Sequence, residues 1–362
     1  TSTESMWVGS VATPTFTGDL AVVGVRRCDT TERARSRDGF RGIAAYDVSD
    51  PTDPVLLGRI TSGERTQGVH QLDVALTDDD GIVVAATVMQ SYLHTDGQVG
   101  DVQLFDLSDP EAPIARGDWD LRRDGPVKVV ASLLEGRDPV ELHAHSLQFA
   151  DGGRTLWVGN WDGGVVQLDV ADRDEPTMVR LIGFDPATEG NAHSVVYDAD
   201  AGLLIRSDED LHPDAIGGHV AGWGGQRIYE ARDPDRLVEV ARINTANSAP
   251  SGDDGVTRTD GYYSAHEAVL SEGLEYVAWY SDGVRIFDLG NLEEPTEIGY
   301  FVPPPRADPQ GYWNAPNGER AFAMVWGVAL AGDLIVASDM HTGLWILRYV
   351  DDAGAAREPG MR

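Results

Sequence analysis

Four histidines share one short pattern, in which an apolar residue precedes the histidine and a polar residue follows it. The four segments are Val69-His-Gln71, Ala144-His-Ser146, Ala192-His-Ser194 and Ala265-His-Glu267. Neutral imidazole is the commonest nitrogen ligand of metals in proteins. If the four rings converge, the pattern predicts a site for a transition metal such as Fe, Cu, Zn or Mn. Four or fewer protein ligands leave positions open for water or substrate.

The elements that position these histidines follow from an internal repeat. Each copy has alternating apolar residues, an acid and a turn that usually ends in proline. The copies are Ile43-Ala-Ala-Tyr-Asp-Val-Ser-Asp-Pro51, Val102-Gln-Leu-Phe-Asp-Leu-Ser-Asp-Pro110, Val165-Val-Gln-Leu-Asp-Val-Ala-Asp172, Gln226-Arg-Ile-Tyr-Glu-Ala-Arg-Asp-Pro234, Val284-Arg-Ile-Phe-Asp-Leu-Gly-Asn291 and a shortened Gly343-Leu-Trp-Ile-Leu-Arg-Tyr349. Their spacing of 58 to 63 residues divides the chain into six units.

Each unit contains four short runs of alternating apolar and polar residues, separated by Gly, Asp and Pro. In the fourth unit these predicted strands are 190–197, 202–207, 224–230 and 237–243. Repeated four-stranded antiparallel sheets indicate an all-β fold, a six-bladed β-propeller. We expect one propeller domain over 1–350 and a disordered tail over 351–362.

The ends of the chain suggest how such a propeller closes. The sixth unit ends at its third strand. Met6-Trp-Val-Gly-Ser-Val11 resembles the fourth strands of other units, such as Val55-Leu-Leu-Gly-Arg-Ile60. The sequence therefore predicts that the N-terminal strand completes the last blade and removes its free edge.

Several phrases resemble the LVIVD repeat, a propeller motif of many secreted bacterial and archaeal proteins. The clearest are Tyr46-Asp-Val-Ser-Asp-Pro-Thr-Asp-Pro54 and Phe105-Asp-Leu-Ser-Asp-Pro-Glu-Ala-Pro113, and Ala192-His-Ser194, Ser207-Asp-Glu-Asp210 and Tyr280-Ser-Asp-Gly-Val-Arg-Ile286 are similar to segments of its uncharacterised members. The chain departs from the repeat at Arg173, where proline is usual, and at Glu230, where aspartate is usual. The resemblance implies a propeller that is often exported, and most members have no assigned activity. An extracellular or cell-surface location after removal of a signal peptide is therefore expected.

Aligned on their first strands, the units place His70, His145, His193 and His266 in one slot of four consecutive blades, with Trp326 in the same slot of the sixth. The first strand of a propeller blade lines the central channel, so these side chains are expected to form a ring. The alternative is structural: a histidine inherited from a common ancestor of the repeats can hold a first strand to the neighbouring blade by a hydrogen bond. Both interpretations stay open at the level of sequence.

The ends of the second strands are expected beside the histidines, because those strands run antiparallel to the first. They read Asn160-Trp-Asp162, Ser207-Asp-Glu-Asp210, Trp279-Tyr-Ser-Asp282 and Ser338-Asp-Met-His341. We expect Glu209, Asp208 and His341 to supply ligands or a general base, with Glu209 preferred. Asp162, Asp282 and Asp339 are more typical of turns. Alternation along the strands predicts that His143 and Glu267 point away from the site.

Aromatic residues around these positions predict a pocket for a small-molecule substrate. They are Trp326, Trp161 and Tyr280 near the histidines, and Trp223 and Trp313 in the long insertions 211–224 and 301–321. Two further insertions, 120–142 and 244–263, are expected at the same end. The acid-rich stretches 78–80 and 207–210 offer oxygen ligands for a structural calcium ion, although neither matches an EF-hand loop.

Charge limits the partners of this chain. The 362 residues carry 28 Lys and Arg against 60 Asp and Glu, a formal charge of −32, and Lys128 is the single lysine. This balance argues against general nucleic-acid binding and against anionic membrane surfaces. No apolar run is long enough to span a bilayer. Adaptation to high salt, including the cytoplasm of a high-salt organism, and a genome rich in G and C both explain the composition.

Two functions fit these observations. The first is a metal-dependent enzyme acting on a small molecule, by hydrolase, lyase or oxygenase chemistry. The second is a non-catalytic exported propeller that binds protein, glycan or cell-surface polymer through its loops. Cys28, in an Arg-rich segment, has no evident base partner and is not expected to be a nucleophile. Oligomeric state is not indicated by the sequence.

Overall fold

A computed structural model describes residues 5–26, 39–63, 66–90, 100–126, 142–183, 191–210, 224–233, 236–248, 261–306 and 322–350. The chain divides into two compact units, Thr1–Gly183 and Phe184–Arg362. The predicted single domain over 1–350 stays a prediction. Cys28 and the tail 351–362 lie outside the described residues.

The first unit consists of three four-stranded antiparallel sheets in which strands that follow one another in sequence are neighbours. The sheets contain β1 (Met6–Ala12), β2 (Thr17–Val25), β3 (Gly42–Asp47) and β4 (Val55–Thr61); β5 (Thr66–Leu76), β6 (Ile82–Gln90), β7 (Val102–Asp106) and β8 (Ile114–Trp119); and β9 (Ala144–Ala150), β10 (Thr155–Asn160), β11 (Gly164–Asp169) and β12 (Thr177–Gly183). One four-residue helix, α1 (Leu121–Asp124), follows β8, and Asp120 caps it by accepting from the N–H groups of Arg122 and Arg123.

The second unit has the same up-and-down order in two four-stranded sheets and one three-stranded sheet. They contain β13 (Ala192–Asp198), β14 (Leu203–Asp208), β15 (Gln226–Glu230) and β16 (Val238–Ile243); β17 (Ala268–Ser271), β18 (Leu274–Ala278), β19 (Val284–Asp288) and β20 (Thr296–Phe301); and β21 (Val325–Ala331), β22 (Leu334–Asp339) and β23 (Gly343–Leu347).

These six small antiparallel sheets are the blades of a six-bladed β-propeller, the fold class that the repeat predicts. The bounds of β13 to β16 lie within about two residues of the strands predicted for the fourth unit. Short alternating runs bounded by Gly, Asp and Pro were therefore sufficient to locate the strands, because each face of a blade packs against its neighbour.

The prediction for the N-terminal strand is wrong. β1 is the edge strand of the first sheet and pairs antiparallel with β2 from Met6 opposite Val23 to Ala12 opposite Thr17. The link between them is a short turn in which the N–H of Thr13 donates to the carbonyl of Phe16. A hairpin closed by a few residues costs far less chain entropy than a pairing between the two ends of the chain. Among the described residues, the sixth blade has three strands.

Four apolar clusters hold neighbouring sheets of the same unit together. In the first unit, Leu20 and Ile43 of one sheet pack with Val84 and Phe105 of the next. A second cluster there contains Leu104, Trp119, Leu156 and Val166. In the second unit, the clusters centre on Ile205, Val277 and Phe287 and on Tyr276, Ile286 and Ile335. Burial of each of these side chains stabilises the fold by about 1.5–3 kcal/mol, and this stabilisation holds neighbouring sheets face to face.

No helix within the described parts of the chain is long and apolar enough to cross a membrane.

Candidate functional site

The repeated slot coincides with a break in strand pairing. In the sheet of β5 and β6, Val69 pairs with Val88 and Gln71 pairs with Thr87, so the register passes over His70. The register passes over His145, His193 and Trp326 in the same way in three other sheets. A β-bulge of this kind re-aims a side chain, and bulges are enriched next to active sites. The slot found by sequence alignment is therefore a bulge position.

His266 lies two residues before β17, and its backbone shows the same two-against-one pattern. The N–H of His266 donates to the carbonyl of Ala278 over 2.9 Å, and the N–H of Ala278 donates to the carbonyl of Glu267 over 2.8 Å. Two successive residues thus face Ala278, and simple alternation does not hold here. The prediction that Glu267 points away is wrong, because its carboxylate and the ligand atoms of His193 and His266 all lie within 4.8 Å of one another.

His193 and His266 form the centre of the site in the second unit. Their side chains are buried, with exposures of 1% and 2%, and their ring centroids are 4.2 Å apart. Nδ1 of His266 lies against the carbonyl oxygen of Trp326. Because a carbonyl only accepts, Nδ1 carries the proton and Nε2 of the neutral ring carries the lone pair. Metal-binding histidines are commonly oriented by this kind of hydrogen bond.

Glu209, the preferred acid of the sequence analysis, lies beside His193, and its functional role stays a prediction. Its Oε2 lies 3.7 Å from Nε2 of His193. Its other oxygen accepts a hydrogen bond from the hydroxyl of Tyr280, and its backbone N–H donates to the carbonyl of Asn191 over 3.1 Å. Tyr280 is fully buried and has a φ of 35°, a conformation that bulky residues rarely adopt. Such strain is often found at functional sites.

Asp208 has a different environment from its neighbour Glu209. Its carboxylate is buried and lies 2.6 Å from Nε of Arg206 and 3.2 Å from Nε of Arg227. A carboxylate shared by two arginines is typical of a structural ion-pair network. The prediction that Asp208 takes part in chemistry stays a prediction.

His341 is buried with 2% exposure, and its Nδ1 lies 2.8 Å from the carbonyl oxygen of Phe322. Its ring therefore has the same protonation pattern as that of His266. Within the described ranges, the ligand-atom group of the second unit contains His193, His266 and Glu267 but not His341. The neighbouring Asp339 is a turn residue, as expected, since it accepts from the N–H groups of His341 and Thr342.

Two of the predicted pocket aromatics lie against His266. Trp326 is 4.2 Å from it and Tyr280 is 5.1 Å from it, centroid to centroid. Trp161 belongs to the first unit, where it lies 5.0 Å from the ring of His145. Trp223 and Trp313 lie outside the described residues, as does most of the four long insertions. The pocket itself stays a prediction.

In the first unit, His70 and His145 form a hydrogen-bonded pair. Nη1 of Arg26 lies 2.6 Å from Nδ1 of His70, and Nε2 of His70 lies 2.9 Å from Nε2 of His145. A guanidinium has no acceptor, so Nδ1 of His70 accepts and its Nε2 carries the proton. His70 then donates to His145. Metal binding through Nε2 of His70 would require that proton to leave, so the ligand role predicted for this pair stays a prediction.

His143 packs beside that pair. Its ring stacks on Trp161 at 5.5 Å and 17°, and its centroid is 6.1 Å from that of His145. Both rings contact Trp161, and the prediction that His143 points away from the site stays a prediction. His143 precedes β9, so strand alternation does not apply to it. Burial above all, together with the nearby charge of Arg122, lowers the pKa of His143 to about 4, so this ring is neutral at physiological pH.

Carboxylates in the two stretches predicted for calcium contact other protein groups. Asp79 accepts from the hydroxyl of Thr77, and the side chain of Asp78 is almost fully exposed beside Arg154. In 207–210, Asp208 is held by arginines. A structural calcium ion stays a prediction.

Comparisons with known proteins bear on the fold. No family model and no curated protein sequence matches the chain. Among solved structures, the periplasmic gluconolactonase of Pseudomonas aeruginosa has a TM-score of 0.57 at 12% identity, covering 94% of this chain and 80% of that one. The β-propeller domain of Cps50 (Swd1) from Myceliophteria thermophila has a TM-score of 0.55 at 10% identity, covering 96% and 84%. A provisionally named 6-phosphogluconolactonase from Bacteroides fragilis has a TM-score of 0.55 at 12% identity, covering 99% and 83%. At these identities the likeness shows the propeller fold alone.

Sequence reasoning missed Arg26 and misplaced Glu267. Arg26 follows β2, and its backbone forms an isolated β-bridge with that of Gly68, which brings its side chain to His70. No spacing of residues in the sequence indicates this bridge. Glu267 directly follows a member of the repeated pattern. Its position would have been found by treating the slot as a bulge, where two successive side chains can share one side.

Proposed function

We propose that this protein is a metal-dependent enzyme that acts on a small molecule. A transition metal is held in the second unit by His193, His266 and Glu267. The observation that carries this proposal is the grouping of two buried imidazoles and a carboxylate within 4.8 Å. Such a group loses hydration on burial, and a bound cation offsets that loss.

The donor set suits Zn, Fe, Cu or Mn, which accept mixed imidazole and carboxylate ligands. Three protein ligands leave at least one coordination position for water or substrate. When bound, such a metal supplies a Lewis acid that polarises a carbonyl or lowers the pKa of a water molecule. The hydrogen bond between His266 and Trp326 supports this assignment because it places the proton of the ring on Nδ1 and the lone pair on Nε2, as a metal ligand requires.

Glu209 is the group we assign to proton transfer. It lies beside His193 without belonging to the ligand group that contains Glu267, and the hydroxyl of Tyr280 fixes its orientation. A carboxylate oriented in this way can accept a proton from water or from a substrate hydroxyl. The carboxylates of Glu209 and Glu267 and the formal charge of −32 favour a neutral or cationic substrate.

The reaction class depends on the metal, so hydrolase, lyase and oxygenase chemistries are tested in turn. Two of the structures of the same fold are named as gluconolactonases, which makes sugar lactones a convenient first substrate class to assay. This choice rests on fold likeness alone and carries no weight in the argument for a metal.

The test is the metal content of the purified, untagged protein by plasma mass spectrometry. We expect near-stoichiometric transition metal in the wild type and a loss in His193→Ala, His266→Ala and Glu267→Gln. His94→Ala is the control, because His94 lies outside the repeated pattern. The proposal fails if the wild type binds no transition metal, or if these variants keep it. The ratio of metal to chain in His70→Ala tests the prediction that the first-unit pair also contributes.

A further inference from the structure

We propose that Ser194 is a positioning residue for the metal ligand His266, and that Thr87 positions the backbone of His145 by the same kind of contact. The part that concerns His266 rests on the proposed function. Both are hydroxyl residues from a neighbouring sheet of the same unit, and each contacts the backbone of a histidine in the repeated slot.

Ser194 directly follows His193 on β13 and is 2% exposed. Its hydroxyl donates to the carbonyl oxygen of His266 over 2.6 Å. The same histidine is fixed on its ring side by the carbonyl of Trp326. His266 is thus anchored twice, at its backbone by the sheet of β13 and at its ring by the sheet of β21.

Thr87 repeats this arrangement in the first unit. It is fully buried on β6, and its hydroxyl donates to the carbonyl of His145 over 2.9 Å. The same oxygen accepts from the N–H of Gln71, the residue that follows His70, over 3.1 Å. The hydroxyl of Thr87 therefore links the backbone beside His70 to the carbonyl of His145.

The physical reason lies in the bulge. A bulged residue interrupts the ladder, so its carbonyl needs a donor from outside the strand. A hydroxyl from the adjacent sheet supplies that donor and at the same time fixes the distance between two successive histidines. Because the contact recurs in both units with different residues, Ser and Thr, the hydroxyl is the shared chemical feature.

Loss of this contact should act on the site rather than on the fold alone. Partners that orient metal ligands typically change metal affinity about 10- to 100-fold when they are removed. We expect Ser194→Ala to weaken Co²⁺ binding by that factor and to change the visible absorption of the bound ion. Ser194→Thr keeps the hydroxyl on a strand that tolerates a β-branched residue, so it should restore both the affinity and the spectrum.

The experiment titrates Co²⁺ into metal-free wild type, Ser194→Ala, Ser194→Thr and the control Ser271→Ala, which lies at the end of β17. In parallel, ¹⁵N NMR of the imidazoles reports the tautomer of His266 without metal. The inference is supported if Ser194→Ala weakens Co²⁺ binding and lowers the fraction of His266 rings that carry the proton on Nδ1, while Ser194→Thr and Ser271→Ala change neither. It is overturned if Ser194→Ala matches the wild type in the NMR readout, or binds Co²⁺ as the wild type does.

The two proposals fail in different ways. If the wild type binds no Co²⁺, the proposed function fails, and the tautomer of His266 still decides the role of Ser194. For Thr87, the matched variants are Thr87→Val, which keeps the shape and removes the hydroxyl, and Thr87→Ser, which keeps it. Thr87→Val should alter the NMR signals of His145 and leave those of His266 unchanged. Unchanged His145 signals in Thr87→Val overturn the role of Thr87.

Discussion

Glu275 provides a quantitative test of how the blades pack. It lies on β18 and is completely buried. Its Oε1 accepts from Nε2 of Gln226 over 2.7 Å, and its Oε2 has no hydrogen-bond partner among the described residues. Burial raises the pKa of Glu275 from 4.5 to about 8, and the hydrogen bond from Gln226 offsets only part of this effect. At neutral pH the folded protein therefore keeps this acid protonated.

The sign and size of the effect follow from linkage. Below pH 4.5 the acid is protonated in both states and costs nothing. Between pH 4.5 and about 8 the unfolded chain releases the proton and the folded chain holds it, so stability falls as pH rises. At pH 7 the cost is about 3 kcal/mol, since each pH unit in this interval contributes about 1.4 kcal/mol.

Glu275→Gln removes the titration and keeps the shape and the hydrogen bond from Gln226. In urea unfolding, we expect the variant and the wild type to be nearly equal at pH 5, and the variant to be more stable by about 3 kcal/mol at pH 7. Glu293→Gln, at an exposed position, controls for the loss of one negative charge. A stability difference that does not grow with pH, or that matches the control, would refute the reasoning.

Three further predictions concern the site. Tyr280→Phe removes one donor from the buried carboxylate of Glu209 and should lower stability by about 1.5–3 kcal/mol in urea unfolding, with metal content unchanged. Asp208→Asn leaves buried arginines without their carboxylate and should cost about 3–5 kcal/mol by the same assay, again with the metal retained; a loss of metal would place Asp208 in the site after all. Removal of the metal by a chelator should lower the thermal midpoint of the wild type and leave that of His266→Ala unchanged, because only a protein that binds the ion gains stability from it.

The repeat predicted the blades because the acid and turn after each third strand recur at regular spacing. β14 and β15 fall where the pattern indicates, and the alignment of first strands brought His193 and His266 to equivalent positions. The N-terminal strand was misassigned because β1 looks like a fourth strand in composition. Composition does not distinguish a pairing with β2 from one with a distant blade, whereas the short turn at Thr13 does.

The error at Glu267 has one cause. Alternation was counted through a position where the strand pairing is bulged, and this predicted the wrong side for the Glu267 side chain. A bulge depends on how two strands pair, and no single strand shows it in its own sequence. The donors Ser194 and Thr87 were likewise invisible, because a serine or threonine in an alternating strand is typical of any β-sheet.

The central claim is that His193, His266 and Glu267 hold one metal ion. An anomalous-difference map, collected from crystals of the metal-bound protein at the absorption edge of that metal, tests it directly. We expect a single strong peak in the second unit, about 2.0–2.2 Å from an imidazole nitrogen of each histidine and from a carboxylate oxygen of Glu267. A peak away from these three side chains, or none in protein that contains the metal, would contradict it.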